Sequence, residues 1–262
     1  MSTAADVFTL TWPAAVCAAA AGGVLVQATV SPRSSFWGPV VSRGNPGARH
    51  VALTFDDGPT PGFTDRVLDT LGELGVRAAF FVVGRNARQH PALVERIHAE
   101  GHVVGNHTQD HSRLGLLGRD GYWRRQVEQA DATILAIIGR RPALFRPPMG
   151  LKTWHTTRAT AATGHTIVTW TRRALDGLGA APPPETIVRR LAGPSEPGDI
   201  LLLHDGVEPH ARRRDRSPSV AAVRPLVERL RQKGLEPRPL DELLRVPAYQ
   251  HAGWAAAAPV PP

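Results

Sequence analysis

Val51-Ala52-Leu53-Thr54-Phe55-Asp56-Asp57-Gly58-Pro59 is an apolar run that ends in two adjacent carboxylates and a Gly-Pro turn. Such a run, bounded by turn residues, reads as a buried strand. Parallel α/β folds gather their chemistry at the C-terminal ends of such strands. Further along stands His107-Thr108-Gln109-Asp110-His111. One carboxylate and two imidazoles can hold a divalent metal and leave coordination positions open, while the second carboxylate stays free to act as a base. The two motifs together point to metal-assisted hydrolysis. Histidines at i and i+4 share a face if the segment is helical, and a loop can present them equally well.

Outward from this stretch, strand-like and helix-like segments alternate about seven times. Strands are expected at Val51–Phe55, Ala78–Val83, His102–Gly105, Ala143–Arg146, Thr166–Trp170, Asp199–His204 and Leu235–Pro239. Helices are expected at Thr64–Leu74, Pro91–Glu100, Gly121–Ile138, Thr153–Ala162, Glu185–Ala192 and Ser219–Lys233. Pro91 suits a first helical turn, and Gly75, Gly101, Gly139 and Gly234 suit stop positions. The pattern argues an α/β fold, a distorted (β/α)7-type barrel of mostly parallel strands. Asp56, Asp57, His107, Arg146, Asp176 and His204 all fall at or just after expected strand ends.

The chain has 262 residues, 42% hydrophobic and 21% charged, enough for one substantial domain. Cys17 is the only cysteine, which excludes an internal disulfide and a cysteine-rich zinc site. A net charge of +8, carried mostly by arginine, favours polyanionic surroundings: nucleic acid, anionic lipid or an acidic cell wall. No recognition module accompanies the charge, so nucleic acid is not expected. The cluster Arg212-Arg213-Arg214-Asp215-Arg216 reads as a solvated loop.

Residues 1–49 read as an apolar leader followed by a Ser-, Pro- and Gly-rich linker, 50–246 as the catalytic domain, and 247–262 as a disordered tail. Val7–Val30 carries no charge and is long enough to cross a bilayer as a helix. Its alanine content makes the hydrophobicity marginal, and no Lys or Arg precedes it as in a standard signal peptide. Arg33, Arg43 and Arg49 behind it would place the domain on the cytoplasmic side of an anchor. A membrane anchor or weak export signal and a leader without that role both stand. The cell envelope is the expected location, by anchoring or export, and the chain is expected to be a monomer.

Five ordered motifs carry a resemblance: Thr54-Phe55-Asp56-Asp57-Gly58-Pro59; His107 to His111; Arg146-Pro147-Pro148-Met149-Gly150; Asp176, six residues after Trp170; and Leu202-Leu203-His204-Asp205. From about Val51 to Leu244 the chain resembles the polysaccharide deacetylases of the NodB-homology type, carbohydrate esterase family 4. The resemblance implies a distorted barrel and a metal-dependent amide hydrolase that removes acetyl groups from N-acetylated sugars. It implies Asp57, His107 and His111 as ligands of one divalent metal. Mixed N and O ligation suits zinc, with cobalt, nickel or manganese as alternatives. It further implies Asp56 as general base, Arg146 as the residue that orients it, His204 as general acid and Asp176 as its support. The Met149 backbone N–H would stabilise the oxyanion, and Leu202 would line the acetyl-methyl pocket or simply fill core. Two positions depart from the commonest pattern: Met149 replaces a tyrosine, and Gly177 stands where tryptophan is frequent, so one wall of the cleft is either missing or supplied from elsewhere.

Other residues take plainer readings. Asp110 reads as a supporting or surface residue and Asp205 as a loop cap; His155, His165, His210 and His251 match no motif. Trp123, Trp154 and Trp170 read as core, with one able to flank a groove. The leading expectation is N-deacetylation of a GlcNAc-containing glycan: peptidoglycan, chitin oligomers or a related polysaccharide. The alternatives are deacylation or deformylation of a lipid-linked aminosugar, an O-acetyl xylan esterase, and an inactive carbohydrate-binding module. A binding module has no need of a base and an acid together.

Overall fold

The structure is a computed structural model that describes residues 4–177, 179–211 and 214–251. Its centre is a parallel sheet. The strands are β1 (His50–Asp56), β2 (Ala79–Val82), β3 (Val103–Asn106), β4 (Leu144–Phe145), β5 (Thr166–Ile167), β6 (Arg172–Arg173), β7 (Ile200–His204) and β8 (Glu236–Pro237). Their order is β5-β4-β3-β2-β1-β7-β6, and β8 pairs with the start of β1. Every one of these pairings is parallel, and the sheet curls into a half-barrel consistent with the expected distorted (β/α)7 architecture.

Alternation along β1 explains the two-sided core. Val51, Leu53 and Phe55 point outward and pack with Val67, Leu68 and Leu71 of α2 (Thr64–Leu74). Ala52 points inward, where Phe81, Trp170 and Leu202 fill the barrel. The inward alanines Ala52 and Ala79 leave room for those larger side chains. Helix α2 ends where Gly75 adopts φ 63°, with its N–H donating to the Gly72 carbonyl and that of Val76 to Leu71. This left-handed stop is cheap only for glycine.

The remaining helices are α1 (Ala4–Val30), α3 (Gly84–Gln89), α4 (Pro91–Ala99), α5 (Asp120–Ile138), α6 (Trp154–Ala162), α7 (Pro184–Ala192), α8 (Ser217–Gln232) and α9 (Leu240–Leu244). All seven expected strands and six expected helices have counterparts, while β6, α3 and α9 were not anticipated. Among the described residues no helix is long and apolar enough to cross a membrane.

Residues 31–49 lie against the barrel. The Val41 N–H donates to Ile167 and its carbonyl accepts from Thr169, both at 2.9 Å, and the Gly44 N–H reaches Gly198 at 2.8 Å. This segment therefore bridges the β5 and β7 sides of the curled sheet. The start of the expected tail also joins the domain. Ala248 is buried and accepts from Ala143 at 2.9 Å, and the Tyr249 hydroxyl accepts from the Val104 N–H at 3.2 Å. Residues 252–262 lie outside the described residues.

Candidate active site

Strand ends position the chemistry. β1 stops at Asp56, and Asp57 turns the chain with φ 73°. The Asn86 side-chain amide holds that turn, donating to the carbonyls of Asp57 at 2.8 Å and Val207 at 3.0 Å. β3 stops at Asn106, whose side-chain oxygen accepts from the Thr108 N–H at 2.8 Å. The Thr108 hydroxyl in turn accepts from the His111 N–H at 3.0 Å. Side chains of this kind bond their own backbone two or three residues on and so build turns. The two histidines are thus presented by a loop, with φ 69° at Thr108 and 50° at His111. The first N–H groups of α3 brace that loop: Gly84 donates to Thr108 and Arg85 to Gln109, each at 2.9 Å.

Asp57, His107 and His111 are all buried, and one ligand atom from each lies within 4.8 Å of the others. Asp57 Oδ1 is 3.3 Å from His111 Nε2 and 3.5 Å from His107 Nε2, yet it has no hydrogen-bond partner. An unsatisfied buried carboxylate oxygen costs stability unless something positive meets it. His107 Nδ1 donates to the Arg146 carbonyl at 2.7 Å, which leaves the Nε2 lone pair facing Asp57. One oxygen and two imidazole nitrogens converging in this way fit a divalent ion. Burial opposes charge on Asp57, but the neighbouring His111, with His204 and His107 beyond it, outweighs it and holds the carboxyl below the usual range.

Beside this trio sit two acid–base pairs. Arg146 is fully buried; its Nη1 donates to Asp56 Oδ1 at 2.7 Å and to Thr54 Oγ1 at 2.9 Å. Its other nitrogens reach the carbonyls of Val168 and Thr169, both at 3.2 Å, and its plane lies 4.0 Å over the Phe81 ring. Asp56 pairs in register with His204 across β1 and β7. His204 Nδ1 donates to Asp176 Oδ1 at 2.8 Å, and Asp176 Oδ2 accepts from the His204 N–H at 3.0 Å and from Ser219 at 2.7 Å. Burial disfavours the His204 cation, but Asp176, with Asp57 and Asp56 behind it, pushes its pKa up to about 9. The His204 side chain therefore holds a proton near neutral pH. A Cβ at Gly177 would fall 2.5 Å from His204 Cε1 and Nε2, so only glycine fits against that ring.

These groups border a cleft of about 460 Å³. Leu202, Trp170, Met149, Leu151 and Val30 supply apolar surface, so Trp170 and α1 contribute cleft wall. Met149 has φ 56° and is 42% exposed. The cleft shares His111, Gly179 and Arg214 with an adjoining hollow of about 960 Å³. Trp123 is core, as expected, whereas Trp154 is exposed outside the cleft lining.

All nine expected site residues meet around this cleft or directly support groups that do. One expectation needs correction. Arg216 is not solvated but fully buried, donating to the carbonyls of Gly206 at 2.7 Å and of Asp176, with its Nη2 3.7 Å from Asp57 Oδ2. The carbonyls left open at the strand ends need donors, and a guanidinium supplies several in one plane. Arg214 is half-buried, Asp215 is exposed, and Arg212 and Arg213 lie outside the described residues. Sequence reasoning also missed Thr54, Ser219 and Asn106, which orient the site, and Lys152. Lys152 is buried; its ammonium donates to the Ser31 carbonyl at 2.6 Å, and its N–H meets the Thr29 carbonyl at 3.3 Å.

A family model described as polysaccharide deacetylase matches residues 43–168. A Bacillus cereus peptidoglycan-N-acetylglucosamine deacetylase is 35% identical over 184 residues, 70% of this chain and 64% of that protein, so this match spans under two thirds of the relative. A Sinorhizobium fredii chitooligosaccharide deacetylase is 36% identical over 206 residues, 77% of this chain and 95% of that protein. Among solved structures, the Bc1960 peptidoglycan N-acetylglucosamine deacetylase superposes with a TM-score of 0.73 at 30% identity, covering 80% of this chain and 95% of that one. A family 4 carbohydrate esterase from Streptomyces lividans gives 0.63 at 30% identity, covering 72% and 91%.

Proposed function

The chain belongs to the polysaccharide deacetylase family, carbohydrate esterase family 4, and from that premise we propose that it is a metal-dependent N-deacetylase of a GlcNAc-containing glycan. The observation that carries the reading is the convergence of Asp57, His107 and His111 beside the Asp56–Arg146 and His204–Asp176 pairs. In this reading Asp57, His107 and His111 hold one divalent ion, zinc by the mixed N and O donor set. Such an ion supplies Lewis acidity at the acetyl carbonyl and the attacking water.

The chain's own residues do the rest. Asp56, held by Arg146, takes the proton of the water that attacks the carbonyl. The Met149 N–H is the donor assigned to the developing oxyanion. Leu202 and Trp170 give the acetyl methyl an apolar seat. His204 hands its proton to the departing nitrogen, because an amide anion is too poor a leaving group near neutral pH. The C–N bond breaks, acetate and a free amine leave, Asp56 gives up the water's proton to solvent, and Asp176 favours reprotonation of His204 from solvent.

The family relatives named for peptidoglycan and for chitooligosaccharides support this substrate class. A cell-envelope location belongs to the same reading, with the uncharged stretch Val7–Val30 as the segment that would deliver the chain there. The test is acetate release, with added zinc, from chitooligomers, peptidoglycan, acetyl-xylan and lipid-linked aminosugars, with formate followed in parallel. Release from the first two supports the reading; release from the last two alone, or from none, overturns it.

A further inference from the structure

The side chain of one cation in the cleft engages none of the described residues. β6 pairs with β7 so that Arg173 lies opposite Leu202, and Leu202 looks into the cleft. Residues opposite one another in adjacent strands share a face. Arg173 accordingly lines the cleft, and it is exposed. Arg172, on the other face, is taken by Asp199 at 3.0 Å. Arg214, also on the cleft wall, donates to the Gly177 carbonyl and lies 3.5 Å from Glu208. Arg173 alone among these has no hydrogen bond or ion pair to the described residues. The wall near it is bare at Gly179, where a Cβ would meet nothing within 4 Å.

Building on the deacetylase reading, we propose that Arg173 selects glycans that carry an anionic group, a carboxylate or a phosphate, on a sugar next to the one losing its acetyl group. A guanidinium meets either anion with two parallel hydrogen bonds, whereas a neutral glycan offers it only hydroxyls. The net charge of +8 draws polyanionic chains toward the molecule from a distance, and Arg173 would convert that attraction into a local choice.

The test uses the full chain loaded with zinc, against Arg173→Gln and Arg173→Lys. Three tetrasaccharides are compared: neutral tetra-N-acetylchitotetraose, its counterpart with carboxylate ethers on alternate sugars, and its 1-phosphate. The parent should favour at least one anionic form, and the two anionic arms separate carboxylate from phosphate. In Arg173→Gln the ratio of anionic to neutral kcat/KM should fall about tenfold, chiefly through KM, and Arg173→Lys should restore part of it. A ratio unchanged by Arg173→Gln, or a parent that favours neither anion, overturns the proposal. Calorimetric binding of the same three glycans needs no turnover. Absence of acetate release from all three, and from peptidoglycan run beside them, would sink the deacetylase reading, while a binding preference lost in Arg173→Gln would still uphold the anion site and a preference unchanged would refute it.

Discussion

Arg146 Nη1 stands 2.7 Å from Asp56 Oδ1 with both side chains closed to solvent. The same guanidinium ties Thr54 of β1 to the carbonyls of Val168 and Thr169, so one residue both aims the base and joins strands. Removing one partner of a buried pair leaves the other uncompensated, at a cost of about 3–5 kcal/mol. Arg146→Ala should therefore lower the melting temperature as well as activity, while elemental analysis of the folded variant finds the metal retained. Loss of metal in step with activity would show that Arg146 serves the ion rather than the base.

Asp56→Asn should keep the metal, lower the melting temperature by leaving buried Arg146 without its counter-charge, and lose about 10²–10⁴ in rate, the usual scale for a general base. The measurement is kcat on the best substrate together with metal content. Parent-level turnover in this variant would exclude Asp56 as the base.

His204 must carry its proton to act, and Asp176 pushes its pKa up to about 9 against the opposing effect of burial. The alkaline limb of the pH–rate profile should fall near that value, and Asp176→Asn should move it toward the ordinary histidine range near ~6.5. The pair also links pH to stability. Its contribution is complete below the unfolded-state value and is lost as pH rises through about 9. Thermal melts of parent and Asp176→Asn should converge above that pH. An alkaline limb that stays put in the variant would remove Asp176 from its assigned role.

An ion bound only by the folded chain adds stability by mass action, about 2.7 kcal/mol at a hundredfold excess over Kd. Zinc should raise the melting temperature of the parent, and chelation should reverse the rise. His111→Ala and His107→Ala should lose most of the response. A full zinc response in both variants would place the ion elsewhere.

Asp205 is buried against Gly58, accepts from the Thr64 hydroxyl at 2.6 Å, and has its pKa pushed up to about 7 by burial. Between the unfolded carboxyl value near ~4 and about 7, the folded state holds a proton that the unfolded state has released, so this group's contribution to stability falls as pH rises. Asp205→Asn should flatten that slope and make the variant relatively more stable at pH ~8 than at pH ~5. Denaturant melts at the two pH values measure it, and an unchanged slope would show that Asp205 is ionised throughout.

Much of this was legible because local signals agreed with the fold. The apolar run before Asp56 could only be a buried strand, and Thr64–Leu74 carried both its amphipathic face and its Gly75 stop. What stayed hidden depended on contacts distant in sequence. β6 consists of Arg172 and Arg173, with no apolar run to announce it. α3 is six residues, too short for a periodic signature, although its N–H groups brace the histidine loop. Arg216 looked solvated because the adjacent arginines masked it, yet unsatisfied carbonyls from two distant loops converge on it. Thr54 and Ser219 are common residues whose hydroxyls matter only for where the barrel places them.

The contact between Lys152 and the end of α1 bears on how the enzyme is handled. Val30 is part of the cleft wall, and the carbonyls of Thr29 and Ser31 hold the chain that leads out of Met149 and Leu151. Recombinant shortening that begins the chain after Val30, a natural choice for discarding an apolar leader, would take Val30 out of the cleft wall and remove the Thr29 carbonyl that accepts from the Lys152 N–H, loosening the Met149–Lys152 segment. Inhibitors ranked on such a fragment would be selected for a wider, softer site than the chain with α1 in place presents, and compounds that exploit Val30 would be overlooked.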